Sequence, residues 1–200
     1  MLTIGLTGPS GAGKSTVGAV FSSFGLPVLN ADSIYRELVI PPSDCLSELV
    51  RHFGHEILLP DGTLDRKTLG RMAFSDPAEL ETLNAISHRY VMADVTRRLR
   101  LLREEGTTAA VFDAPQLFEA GADKLCHVIV SVLASPAIRL ERIVRRDGIS
   151  PTDARRRMAA QKSDSFFRAH SDYVLENDGN PDQLTEAVRR ILTETGVLTA

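Results

Sequence analysis

The chain has 200 residues, 43% of them hydrophobic and 24% charged, and carries a formal net charge of −3. That hydrophobic content excludes a disordered chain, and the length suffices for one large or two small domains with a sizeable core. The mild negative charge argues against broad coating of nucleic acid, so any basic site must be local.

The first predicted element is the apolar run "LTIGLT" at Leu2–Thr7, a buried strand closed by Gly8 and Pro9. From Ser15 to Phe24, apolar residues at Val17, Val20, Phe21 and Phe24 follow helical spacing, with Gly25 as the stop. "LPVLNA" (Leu26 to Ala31) reads as a second strand. Between Ser43 and Glu105 there is almost no strand signal. A turn, "PDGT", breaks this block at Pro60 to Thr63. Asp76, Pro77 and Glu79 open a long helical pattern as cap, first residue and capping-box partner. Further strands are predicted at Ala109–Pro115, Cys126–Ala134 and Asp172–Asn177. Asn180, Pro181 and Gln183 start a last helix that Gly196 stops. Helical patterns separate most strands, which predicts an α/β protein: a five-stranded parallel sheet with helices on both faces and a helical insertion between strands two and three.

Two cysteines, Cys45 and Cys126, form no C-x-x-C pair and suit a reducing compartment. No secretory signal pattern opens the chain, and the run "HVIVSVLA" is too short to cross a bilayer. The expectation is a cytoplasmic protein, monomeric or a small homo-oligomer, bound to neither membrane nor nucleic acid.

The chemistry sits between the first strand and the first helix. Gly8-Pro9-Ser10-Gly11-Ala12-Gly13-Lys14-Ser15 fits G-x-x-x-x-G-K-[ST], the phosphate-binding loop. A triphosphate needs several backbone N–H donors converging on it, and glycines clear that approach. The helix N-terminus adds its amides and dipole. Lys14 supplies a point charge to the outer phosphates, the Ser15 hydroxyl suits Mg²⁺, and Thr16 suits an inner phosphate. Asp113, ending the strand "AAVFD", suits Mg²⁺ through water, or is a plain strand-end turn residue.

Three classes share this loop. A guanine-nucleotide switch needs N-K-x-D, and the nearest string is "QKSD" at Gln161 to Asp164, with glutamine first. A motor ATPase usually carries more chain and an acidic pair where Asp113 stands alone. A small kinase fits better, because phosphoryl transfer needs charge stabilisation and exclusion of water. Seven arginines (139, 142, 145, 146, 155, 156 and 157) fall between Arg139 and Arg157. Arg139, Arg142 and Arg146 share one helical face, and "DGISP" then breaks the helix. Two basic helices hinged there would form a lid over phosphates; the plainer alternative is a solvated hairpin. Asp32, just past the second strand, can orient an attacking hydroxyl and accept its proton, which hints at an alcohol acceptor. Its plainer assignment is the N-cap of the next helix. His52, His55, His127 and Cys126 read as surface or packing residues, and Phe166 and Phe167 as core.

An ordered set of strings resembles the dephospho-CoA kinase family over nearly the whole chain. They are "IGLTG" with "GKSTV" at Ile4 to Val17, "NADSIYREL" at Asn30 to Leu38, "DGTLDRKTLGRMAFSD" at Asp61 to Asp76 and "LNAISH" at Leu83 to His88. "PQLFEAG" at Pro115 to Gly121, "RLERIVRRDG", "AAQ" at Gln161 and "SDYVLENDG" at Ser171 to Gly179 complete the set. The resemblance implies a P-loop nucleoside-triphosphate hydrolase fold with a nucleotide-binding core (1–32, 108–138, 166–200), a helical acceptor insertion (33–107) and a helical lid (139–165). It implies transfer of the ATP γ-phosphate to the ribose 3′-hydroxyl of dephospho-CoA, with ATP and Mg²⁺. By it, Gly11, Ala12, Gly13, Lys14, Ser15 and Thr16 hold ATP, with Asn177 by the adenine. Asp32 is the base or orienting group, and Arg142 and Arg146 serve in the lid. Arg66, His88, Leu117, Phe118 and Glu119 line the acceptor side. The chain departs from the family at Arg89, where proline is frequent, and at Gln116, where leucine is usual. The loop string itself is similar to that of guanylate kinase, whose GMP-reading segment is absent. Alternatives are another small kinase, for nucleosides or nucleoside monophosphates, and a non-catalytic nucleotide-binding regulator.

Overall fold

The computed structural model describes residues 1–198. It divides into two compact units: Met1–Leu29 with the chain from Leu102 onward, and Asn30–Leu101.

The first unit is built on a five-stranded sheet. Its strands are β1 (Leu2–Thr7), β2 (Val28–Asn30), β3 (Ala109–Asp113), β4 (Val128–Leu133) and β5 (Tyr173–Glu176), in the order β2-β3-β1-β4-β5. β1 pairs in parallel with β3, placing Leu6 beside Asp113, and with β4, placing Thr7 beside Ser131. β4 pairs in parallel with β5. The central strand is therefore β1, and the chain leaving it emerges between the carboxyl ends of β3 and β4, the switch point where open α/β sheets bind ligands. The second strand is shorter than its apolar run predicts. Pro27 offers no N–H and stands just outside it, its carbonyl accepting from Val111 N–H at 2.9 Å.

Strand alternation sorts the core. Ile4, Leu6, Val111, Val130 and Val132 pack with Val17 and Phe21 of α1 (Lys14–Ser23). Leu184, Val188, Ile191 and Leu192 of the last helix join the same cluster. β1 presents Gly5 on its other face, where an added Cβ would meet Cys126 Sγ at 2.7 Å and Leu117 at 3.0 Å.

The second unit is helical, as its lack of strand periodicity predicts. It holds α2 (Ala31–Leu38), α3 (Asp44–Phe53), α4 (Arg66–Ser75) and most of α5 (Pro77–Glu104), with one isolated antiparallel bridge between Leu58 and Leu64. Val39, Cys45, Leu49, Phe53, Ile57, Leu69, Ala73 and Ile86 form its core. Ser43 and Asp65 cap α3 and α4 by accepting backbone N–H bonds. Asp76 caps α5 through Ala78 N–H, whereas Glu79, predicted to close a capping box, binds His52 Nε2 at 2.8 Å. Arg89 and the Tyr90 hydroxyl both bond the Glu48 carboxylate, tying α5 to α3.

The remaining helices belong to the first unit: α6 (Pro136–Asp147), α7 (Pro151–Ala159), α8 (Asp164–Ala169) and α9 (Pro181–Glu194). Asn180 caps α9 by accepting from Asp182 and Gln183 N–H. The unit boundaries differ from the domain limits expected above. The helix carrying Asp32 groups with the insertion, and the last residues of α5 group with the sheet.

Candidate active site

The loop after β1 is shaped by close backbone contacts. Gly8 has φ 141°, and a Cβ there would lie 2.2 Å from the Val132 carbonyl oxygen. Gly13 has φ 92°, and its Cβ would fall 2.1 Å from Asn177 Nδ2. Only glycine satisfies both the backbone and the space. Asn177, 7% exposed, donates from Nδ2 to the Ala12 carbonyl at 2.9 Å. The residue expected beside the adenine thus buttresses the loop with its amide.

The loop's carbonyls are held from outside. Arg142 Nη1 donates to the Gly11 and Ala12 carbonyls, each at 3.3 Å, and Arg139 Nε donates to the Ser10 carbonyl at 3.1 Å. Ala12 N–H turns back to Pro9. No described residue takes up the N–H groups of Gly11, Gly13, Lys14 or Ser15. Lys14 and Ser15 open α1, where helical N–H groups have no intrahelical partner. Ser15 and Thr16 are exposed. The result is a row of donors with positive helix-end potential, suited to phosphate.

Lys14 lies at the mouth of this row, its Nζ 3.2 Å from Asp113 Oδ1. Asp113 is 4% exposed, held there by its register opposite Leu6. A lysine and a buried carboxylate so placed keep the charge over the loop. Among the described residues no group of three or more acidic, histidine or cysteine side chains could cage a metal ion. Mg²⁺ needs no such cage, because it binds through one or two protein oxygens plus substrate phosphates. A buried carboxylate and an exposed serine hydroxyl near the loop fit that requirement.

α6 and α7 form the basic hairpin, hinged at Gly148 (φ 64°). Arg146 bonds Asp147 through Nε (2.7 Å) and Nη2 (2.9 Å), and reaches Ser10 Oγ from Nη2 at 3.3 Å. Arg157 of α7 bonds the same carboxylate. These bonds pull the Asp147 carboxyl down to about 2 and push the Arg146 guanidinium up. Arg139, grouped by sequence with Arg142 and Arg146, is instead only 5% exposed, and burial lowers its guanidinium against the pull of Asp164. The shared face of α6 reaches the loop through all three arginines, with Arg139 buried and Arg146 still exposed.

After β3, Leu117 is fully buried against Gly5, so its side chain belongs to the core and cannot line an acceptor surface as expected. Phe118 packs edge-on against Phe166, with centroids 5.2 Å apart. Phe166 stacks on His170 at 4.0 Å and is only half-buried, while Phe167 is core as predicted. Glu119 is exposed and lies 3.9 Å from Lys162 Nζ, and Gln116 is exposed.

In the second unit Asn30, not Asp32, caps α2 by accepting from Ser33 N–H at 2.9 Å. Asp32 is exposed in the first turn, with no ion pair or hydrogen bond from its carboxylate to any described residue. The capping alternative for Asp32 is thereby removed. Tyr35, one turn on and so on the same side of the helix, lies under the Arg66 guanidinium at 5.6 Å. His88 is half-buried on α5. Burial raises the Cys45 and Cys126 thiols to about 11 and about 12, which removes both as nucleophiles. His127 Nδ1 accepts from Thr3 N–H at 3.0 Å, extending the ladder at the edge of β4. Arg139 and Gln161 are marked in sequence as a lid cation and part of a family string, but their bonds to the Ser10 backbone are not, because no periodicity marks a backbone partner far along the chain.

A parallel sheet whose central strand opens into such a loop, with lysine, carboxylate and arginines converging on it, defines a P-loop phosphotransferase. A family model described as dephospho-CoA kinase matches residues 2–183. A dephospho-CoA kinase of Anaeromyxobacter dehalogenans is 39% identical over 194 residues, covering 97% of this chain and 92% of that protein. A solved Thermus thermophilus protein has a TM-score of 0.81 at 33% identity, covering 96% of this chain and 97% of its own. A dephospho-CoA kinase from Campylobacter jejuni, at 22% identity and TM-score 0.72 with 98% of each chain covered, shares the fold. The chain belongs to the dephospho-CoA kinase family. Among the described residues no helix is long and apolar enough to cross a membrane.

Proposed function

We propose that this protein transfers the γ-phosphate of ATP to the 3′-hydroxyl of dephospho-CoA, giving coenzyme A and ADP. Family membership carries the activity, and the row of open loop amides beside Lys14 carries the nucleotide assignment. Gly11, Gly13, Lys14 and Ser15 cradle the phosphates with their open backbone N–H groups, Ala12 shapes the loop between them, the Thr16 hydroxyl reaches an inner phosphate, and Lys14 leaves Asp113 for the outer phosphates. Ser15 and, through water, Asp113 would hold Mg²⁺, which when bound would supply charge neutralisation at the phosphates. Arg142 and Arg146, already against the loop, stabilise charge on the transferring phosphoryl group. The hairpin 139–165 acts as the lid that excludes water.

On the acceptor side, Asp32 orients the attacking hydroxyl and takes its proton. Its exposed, uncommitted carboxylate supports that role, and a phosphate acceptor would be repelled by it. Arg66 and His88 are assigned to the acceptor by the family resemblance. Phe118 and Glu119 are assigned to the acceptor likewise, whereas Leu117, 0% exposed and with its carbonyl bonded to Ala122 N–H, offers it neither side chain nor backbone. The site is expected to work in the cytoplasm. The test is an ADP-release assay with Mg²⁺ and separate acceptors. Turnover with dephospho-CoA alone is expected. Preference for a nucleoside or nucleoside monophosphate would overturn the acceptor, and no ADP release with any acceptor would point to a regulator.

A further inference from the structure

Arg139, at the root of the hairpin, is a buried cation with no phosphate contact assigned to it above. Its three donor groups reach three partners. Nε donates to the Ser10 carbonyl at 3.1 Å, Nη2 to Gln161 Oε1 at 3.2 Å, and Nη1 to Asp164 Oδ1 at 3.3 Å. Gln161 Oε1 also accepts from Ser10 N–H at 3.1 Å. Both backbone polar groups of Ser10 are therefore gripped, one by the arginine and one by the amide the arginine orients. We infer that Arg139 and Gln161 are positioning residues that brace the phosphate loop in its binding shape before nucleotide arrives.

The peptide plane supplies the reason. In a trans peptide the C=O and the following N–H point in opposite directions. Drawing the Ser10 carbonyl outward onto Arg139 turns the Gly11 N–H inward. Arg142, drawing on the Ala12 carbonyl, does the same for Gly13 N–H. A glycine-rich loop left alone would sample many conformations, and ordering it on binding would cost affinity. The brace removes that cost beforehand. Both anchors suit such a brace chemically. A guanidinium offers a fixed fork that lysine cannot copy, and a glutamine oxygen has two lone pairs for two donors. The segment "QKSD", which fails as a guanine-reading motif, supplies two of the contacts, Gln161 and Asp164.

This inference rests on the loop being a nucleotide site, so the experiment reads nucleotide binding without any acceptor. MgADP binding is measured by calorimetry on the full chain for wild type, Gln161→Leu, Gln161→Glu and Arg139→Lys, with a melting curve for each. Wild-type binding is the control, and its absence would overturn the nucleotide site itself. Gln161→Leu removes the acceptor at similar volume and is expected to weaken binding about tenfold, in line with a lost hydrogen bond to a half-buried amide. Gln161→Glu keeps an oxygen for both donors and is expected to recover most of that loss. Arg139→Lys cannot hold Ser10 and Gln161 together and is expected to weaken binding by a similar factor. If Gln161→Leu binds MgADP as wild type does, the brace is overturned. It is equally overturned if binding falls only in step with melting temperature and Gln161→Glu recovers neither.

Discussion

Lys14 has two roles that a double-mutant cycle separates. Its Nζ lies 3.2 Å from a carboxylate that is 4% exposed. At an effective dielectric of about 20 the attraction is about 5 kcal/mol before desolvation is counted. Removing the lysine alone takes the paired cation from a buried carboxylate, which typically costs about 3–5 kcal/mol. Lys14→Met should therefore fold but melt roughly 10 °C lower, at about 2–4 °C per kcal/mol for a chain this long. Asp113→Asn in that background removes the carboxylate charge that Lys14 had balanced and should restore most of the loss. Turnover should not follow: both variants should be at least about 100-fold slower than wild type, because the phosphate donor is gone. Thermal melting and an ADP-release assay on the four proteins complete the cycle. A Lys14→Met protein that melts like wild type would refute the ion pair. Recovery of turnover in the double variant would refute the phosphate role.

Asp32→Asn should slow turnover by about 10²–10⁴, the usual range for a lost general base, with MgADP affinity and melting temperature near wild type because the cap is Asn30. Asn30→Ala should do the reverse, costing about 1 kcal/mol in a denaturation curve. Asp147 carries a pH signature. Its folded pKa is depressed to about 2, so its contribution to stability is complete above its unfolded value and is lost as pH falls from about 4 through about 2. Asp147→Asn should flatten that part of the melting-temperature profile; an unchanged profile would refute the Arg146–Asp147–Arg157 link. Phe21→Ala, at 0% exposure between sheet and helix, should cost about 3–5 kcal/mol, checked by denaturant unfolding.

The sheet was legible because each strand is a short apolar run closed by glycine, proline or aspartate, and because helical spacing lies between most of them. The loop was legible because phosphate chemistry fixes residue types at fixed spacing, as Gly8, Gly13, Lys14 and Ser15 show. Contacts across long sequence separation were not. Arg139 looked like one lid cation among seven, yet its partners Ser10 and Gln161 are a backbone group and an amide that no periodicity marks. Asn177 is a second case, since its bond to Ala12 spans 165 positions. Leu117 looked like an acceptor contact, and only the absent side chain of Gly5 reveals the space it fills. Asp32 stayed open between cap and hydroxyl-orienting group because Asn30 and Asp32 are equally good caps in sequence, and the backbone chose the first.

Everything proposed for the site converges on phosphoryl transfer to one particular hydroxyl. The direct measurement is to incubate the protein with ATP, Mg²⁺ and dephospho-CoA, then locate the new phosphate by mass spectrometry and phosphorus NMR. A single added phosphate on the ribose 3′-oxygen is expected, and none when Lys14→Met replaces the wild type. A dephospho-CoA left unmodified while a nucleoside or nucleoside monophosphate gains the phosphate would contradict it.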